Sequence, residues 1–181
     1  MAISIQEKER MKLSGRSKAV LCAVLHRCAV ALAAAVLAGS ASHADPSSQQ
    51  PATVVFVCLH GSVKSVMAAA HFNRIAKERQ LPFVAVARGV DPDREIPASI
   101  RQGLAQDGLT PADEVPHALT ADEASAAATV FAFDEVPFDR KGNATVTYWR
   151  NVPPASKDYS AARDAIVRRV EEAAASLTSR R

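Results

Sequence analysis

The sequence has no glycine-rich nucleotide fingerprint, no cluster of metal-ligating side chains and no internal repeat. Neither a metal nor an organic cofactor is therefore expected, and a repeat architecture is set aside. Long apolar runs are missing as well. The best one, Cys28 to Ala38, is cut off upstream by His26 and Arg27 and falls well short of the ~20 residues a spanning helix needs. Cysteine is scarce: Cys22, Cys28 and Cys58 are the three in 181 residues.

Two of those cysteines lie in a segment unlike the rest. Lys12, Arg16 and Lys18 form a basic stretch, Cys28 to Ala38 an apolar core, and Ser42-His43-Ala44 a small-x-small cleavage site. Residues 1–44 read as a secretory signal peptide, with Met11 the more typical start, and the mature chain is expected to begin near Asp45 in the periplasm or outside the cell. Cleavage removes six Lys/Arg and two Asp/Glu, which turns a formal charge of +3 into −1. The basic pI of the whole chain thus gives no reason to expect nucleic acid, or a membrane once the signal is gone, as a partner. Only Cys58 remains, so no intramolecular disulfide can form. A lone thiol in an oxidising compartment is more often functional than structural, the plain alternative being an inert cysteine that ends a strand.

Residues 45–52 read as a polar linker, and residues 53–178 as one domain with a single core. Thr53–Val57, Phe83–Ala87, Thr129–Phe133 and Ala144–Trp149 have the composition of short strands. Between them lie helical patterns. Val66–Gln80 ends before Leu81-Pro82, Ala98–Gln106 closes on Asp107-Gly108, and a capping box of Thr120 and Glu123 starts a helix through Ala127. A last helix over Ser160–Leu177 places Ile166, Val167, Val170, Ala173, Ala174 and Leu177 on one face. Alternating strands and helices imply an α/β fold: a single three-layer domain with a four-stranded parallel sheet and helices on both faces.

The stretch with most chemistry is Cys58-Leu59-His60-Gly61-Ser62-Val63-Lys64-Ser65, set between the first strand and the first helix. Unpaired N–H groups and the positive end of a helix dipole converge at such a junction and make an anion site. The same field favours a thiolate, so Cys58 is expected to be nucleophilic. Gly61 can adopt the left-handed backbone a tight loop needs. In parallel sheets ligands bind beyond the C-terminal strand ends, where Cys58 lies.

Cys58-x5-Lys64-Ser65, followed by Val66-Met67-Ala68-Ala69-Ala70-His71-Phe72, resembles the active loop and first helix of the low-molecular-weight protein tyrosine phosphatase and arsenate reductase superfamily, whose signature is Cys-x5-Arg-Ser. The likeness continues through Asp107-Gly108-Leu109, His117-Ala118-Leu119-Thr120 and Phe131-Ala132-Phe133-Asp134. It implies the matching fold and a site with Cys58, Lys64 and Ser65 as catalytic residues. Leu59, His60, Gly61, Ser62, Val63, Lys64 and Ser65 would bind phosphate. The implied partner is phosphate, arsenate, or a phosphorylated small molecule or protein. In that family the thiolate attacks phosphorus to form a phosphocysteine, and an aspartate in a late Asp-Pro pair protonates the leaving oxygen.

Two positions depart from this pattern. Lys64 keeps the charge of the family's arginine but lacks its two-pronged fork. Trp149–Ala155 looks like the late loop, and there Pro153 stands in the aspartate's place. Asp158 is the nearest replacement, though its position suits a helix cap better. Three expectations follow: a slow exported phosphatase for aryl or acyl phosphates, a non-catalytic oxyanion-binding module, or an arsenate reductase that borrows an external thiol.

Overall fold

A computed structural model describes residues 50–179, so the expected signal peptide and most of the expected linker lie outside the described residues. β1 (Ala52–Cys58) is the central strand. It pairs in parallel with β2 (Phe83–Gly89) on one side and β3 (Thr129–Ala132) on the other, and β4 (Val146–Tyr148) extends the sheet beyond β3. The order is β2-β1-β3-β4, all parallel. Val54 to Cys58 is buried without interruption, as a central strand covered on both faces must be.

Alternation along β1 assigns its side chains to two cores. Val54, Phe56 and Cys58 face α1 (Lys64–Glu78), α2 (Ala98–Gln106) and α5 (Tyr159–Ser179). Val55 and Val57 face Leu119, Val136 and Ala124 of α3 (Ala121–Ala126). Helices therefore lie on both faces of a four-stranded parallel sheet, the three-layer arrangement expected from the alternating pattern. The larger core is aromatic at its centre: Phe56 has ring centroids of Phe72, Phe131 and Trp149 at 5.7, 5.5 and 5.4 Å.

Several local signals resolve more finely than the sequence pattern. α1 ends at Glu78, ahead of the pre-proline position, because Gln80 takes φ +52° and the amides of Gln80 and Leu81 donate to the carbonyls of Lys77 and Ala76. That pair of bonds is a Schellman closure with glutamine at the left-handed position. α2 closes the same way on Gly108 at φ +72°, with Leu109 N–H on Leu104 O at 2.8 Å. At α3 only half of the expected capping box forms. Thr120 Oγ1 accepts from Glu123 N–H at 3.1 Å, but the Glu123 carboxylate is held by the Arg88 guanidinium at 2.8 and 2.9 Å. Two other expectations are corrected. β4 spans three residues, since Ala144 N–H is used in a turn onto Lys141 O. Val167 is only partly buried, while Ala162 joins the α5 core face in its place. One element, α4 (Phe138–Lys141), is a four-residue helix, too short to show a period in the sequence.

Candidate functional site

β1 delivers Cys58 to the C-terminal edge of the sheet, and the chain turns through five residues into α1. Three carbonyls of the turn are bound from outside by the segment after β2. Val90, Asp91 and Asp93 donate their N–H groups to the carbonyls of Cys58, Leu59 and His60 at 3.1, 2.8 and 3.0 Å. The close seat explains the glycines. Gly61 lies at φ +63°, and a Cβ there would stand 2.7 Å from the Gly89 nitrogen. Both the left-handed backbone and the contact with a second main chain require glycine. α1 then starts at Lys64 with Val63 as N-cap, no side-chain cap and no acidic residue in its first turn. Its opening N–H groups are thus left without the usual internal acceptor.

The loop side chains divide into distinct roles. Cys58 is 5% exposed, and its Sγ lies 3.2 Å from the hydroxyl of fully buried Ser65. Ser62, also fully buried, donates its hydroxyl to Asp93 Oδ2 at 2.5 Å. His60 turns outward, with Nδ1 3.3 Å from Asp91 O and 3.5 Å from Asp93 Oδ1. His60 and Ser62 therefore fasten the loop to the 91–93 segment. Lys64 is one-quarter exposed, and its Nζ lies 3.9 Å from Asp134 Oδ1.

In the sequence Asp134 stands just after the third strand pattern, as the last residue of the Phe131-Ala132-Phe133-Asp134 likeness, with no role attached. In the fold, β3 pairs with β1 and Phe133 N–H donates to Val57 O, which brings the next side chain beside the loop. Asp134 Oδ2 accepts the Leu59 N–H at 2.9 Å. Alongside Lys64, this puts a carboxylate at the mouth of the expected anion site. A signal for it existed: Asp134 follows a buried strand that has to neighbour the cysteine strand.

The late segment between β4 and α5 is irregular, with Asn151 at φ +63°. Val152 packs on the main core and Ala155 is buried, so the chain is pinned on both sides of Pro153. Asp158 Oδ1 accepts the Ala161 N–H at 2.9 Å. It is engaged as a cap of α5, the role its position suggested.

Away from the loop, a cleft of about 410 Å³ is lined by His71, Arg74, Asp107, Arg163 and neighbouring α5 residues. His71 on α1 is 1% exposed, with Nε2 lacking a hydrogen-bond partner and 3.6 Å from Asp107 Oδ2. Burial, then the Arg74 guanidinium, push its imidazole down to about 4, so it is neutral near neutral pH. Asp107 is meanwhile satisfied by the Tyr159 hydroxyl at 2.8 Å and Arg163 at 3.1 Å. This network ties α1, α2 and α5 together, and the sequence pattern gave no hint of it.

No protein-family model and no curated protein matches the chain. Solved structures do. An arsenate reductase from Archaeoglobus fulgidus is 28% identical, over 66% of this chain and 96% of its own, with a TM-score of 0.54. A low-molecular-weight protein tyrosine phosphatase from T. tengcongensis is 15% identical, over 69% and 99%, with a TM-score of 0.59. A protein tyrosine phosphatase from Entamoeba histolytica is 15% identical, over 71% and 97%, again with a TM-score of 0.59.

Proposed function

We propose, starting from the chain's place as a divergent member of the low-molecular-weight protein tyrosine phosphatase and arsenate reductase superfamily, that it binds a phosphate-type oxyanion in the Cys58–Ser65 loop and hydrolyses activated phosphate monoesters slowly through a phosphocysteine. One observation carries this reading: a buried thiol paired with the Ser65 hydroxyl at 3.2 Å, beside a helix N-terminus that has no internal cap. The 90–93 segment takes the outer carbonyls of the loop, and Asp134 Oδ2 holds the Leu59 N–H, so the anion is received by the amides further along the loop, at the start of α1. A hydroxyl donating to sulfur favours the thiolate, and unpaired amides favour charge that develops on the transferring group.

In the reaction, Cys58 Sγ attacks phosphorus, an S–P bond forms and the ester P–O bond breaks. Lys64 attracts the equatorial oxygens as a point charge, without the paired hydrogen bonds a guanidinium gives. Water then attacks the phosphocysteine, releasing phosphate and restoring the thiol. Proline at 153 and the capping role of Asp158 leave the leaving oxygen without a proton donor from the late loop. The missing proton costs roughly 10²–10⁴-fold in a proton-dependent step, so aryl phosphates are the fitting substrates. The same two features favour a second reading, a module that retains the oxyanion without turning it over.

Purified mature protein should hydrolyse an aryl phosphate, and Cys58→Ser should lose that activity completely while keeping its fold. Turnover that survives the substitution would remove the phosphocysteine. Phosphate should also slow alkylation of Cys58 by iodoacetamide, and lack of protection would remove the oxyanion site itself.

Export to the periplasm or beyond is part of the same proposal, resting on the basic stretch, apolar core and Ser42-His43-Ala44. N-terminal sequencing of the exported protein should read from Asp45. A cytoplasmic product that keeps Met1 or Met11 would overturn it.

A further inference from the structure

Asp134 introduces a negative charge where the loop is built to receive one. Its Oδ2 accepts the Leu59 N–H at 2.9 Å, and its Oδ1 lies 3.9 Å from Lys64 Nζ. Both donors belong to the Cys58–Ser65 loop, so an oxyanion that draws on them meets the carboxylate at contact distance. We propose that Asp134 makes the loop selective for oxyanions that carry a proton of their own, hydrogen phosphate and hydrogen arsenate, over sulfate; this rests on the oxyanion reading of that loop.

The physical case is a comparison of two ions of the same shape and charge. Near neutral pH hydrogen phosphate and sulfate are both tetrahedral dianions. Hydrogen phosphate has an O–H that can donate into a carboxylate, whereas every sulfate oxygen is an acceptor only. Facing Asp134, sulfate sets lone pairs against lone pairs and charge against like charge with nothing between them. A site whose fixed acceptor expects an O–H discriminates strongly against an analogue without one, because the acceptor is left unpaired.

The surrounding charges leave this contact to Asp134. On α1, Lys64 is the cation that faces it. Glu135, the next residue, is engaged elsewhere by the Tyr148 hydroxyl at 3.0 Å and by Lys141 and Arg150, each at 3.5 Å. His60 pairs with Asp93, and Ser62 donates to the same Asp93 carboxylate.

The test is calorimetric titration of the mature protein with sodium phosphate and sodium sulfate near neutral pH. Asp134→Asn serves as comparison, since its amide oxygen can still accept the Leu59 N–H. Wild type should bind phosphate at least about tenfold more tightly than sulfate near neutral pH, a difference of roughly 1.4 kcal/mol. In the variant the ratio should fall towards one through a gain in sulfate affinity. Equal binding of the two ions by wild type near neutral pH overturns the proposal while the oxyanion site stands. A ratio unchanged in a folded variant does the same. If neither ion binds wild type, the oxyanion reading of the loop falls along with it. Should the variant fail to fold, the ratio of the two affinities in wild type decides, and a ratio near one counts against the proposal.

Discussion

Replacing Pro153 by aspartate should raise turnover of an alkyl phosphate by about 10²-fold and that of an aryl phosphate little. The difference arises because an alkoxide needs a proton in order to leave and an aryloxide does not. The segment is held on both sides of position 153 by Val152 and Ala155, so the new carboxyl would be presented from a fixed backbone. Lys64→Arg should act on a different quantity. A guanidinium adds a second hydrogen bond to the transferring oxygens, and bidentate geometry is worth more in the transition state than in the ground state. Turnover of both substrates should then rise more than affinity. The two changes together should exceed either alone. Initial rates on one aryl and one alkyl phosphate for all four proteins separate these effects. If wild type is inactive and the double variant, still folded and still binding phosphate, is inactive too, the non-catalytic module is the better account.

The largest expected effect on stability comes from Phe56→Ala, at about 3–5 kcal/mol. Phe56 is fully buried and touches the rings of Phe72, Phe131 and Trp149, so truncation leaves a cavity in the middle of the main core. Set against the ~5–15 kcal/mol that stabilises a typical domain, such a loss is enough to threaten folding. Phe138, 85% exposed, gives the matched control, for which Phe138→Ala should lie within about 0.5 kcal/mol of wild type. Denaturant unfolding followed by Trp149, the single tryptophan of the chain, reports both. Equal midpoints for the two variants would mean that the aromatic cluster does not anchor the sheet. Phe56 is also two residues before Cys58 on the same face of β1, so loosening it should make the thiol more reactive towards iodoacetamide.

What the sequence determined by itself is what short-range physics controls. Apolar residues spaced at i and i+4 mark α1 and α5, β-branched runs mark β1 and β2, and Gly108 marks the end of α2. Each depends on neighbours within a turn or a pleat, and each appears in the fold within a few residues of its expected place. The strand–loop–helix around Cys58 was legible for the same reason, as was the left-handed need at Gly61. The tertiary structure alone decided which distant groups meet that loop. Asp134 is 75 residues from Leu59 in the chain and arrives because β3 pairs with β1; Asp93 is 31 residues from Ser62 and arrives from the edge after β2. Glu123 was drawn away from its own helix cap to Arg88, 35 residues distant, because two charge-assisted hydrogen bonds outweigh one to a backbone N–H. Strand order is a property of the whole sheet and leaves no periodic trace in the chain. The carboxylate beside the cysteine was marked in the sequence only by following a buried strand, while the cysteine itself stood in a motif.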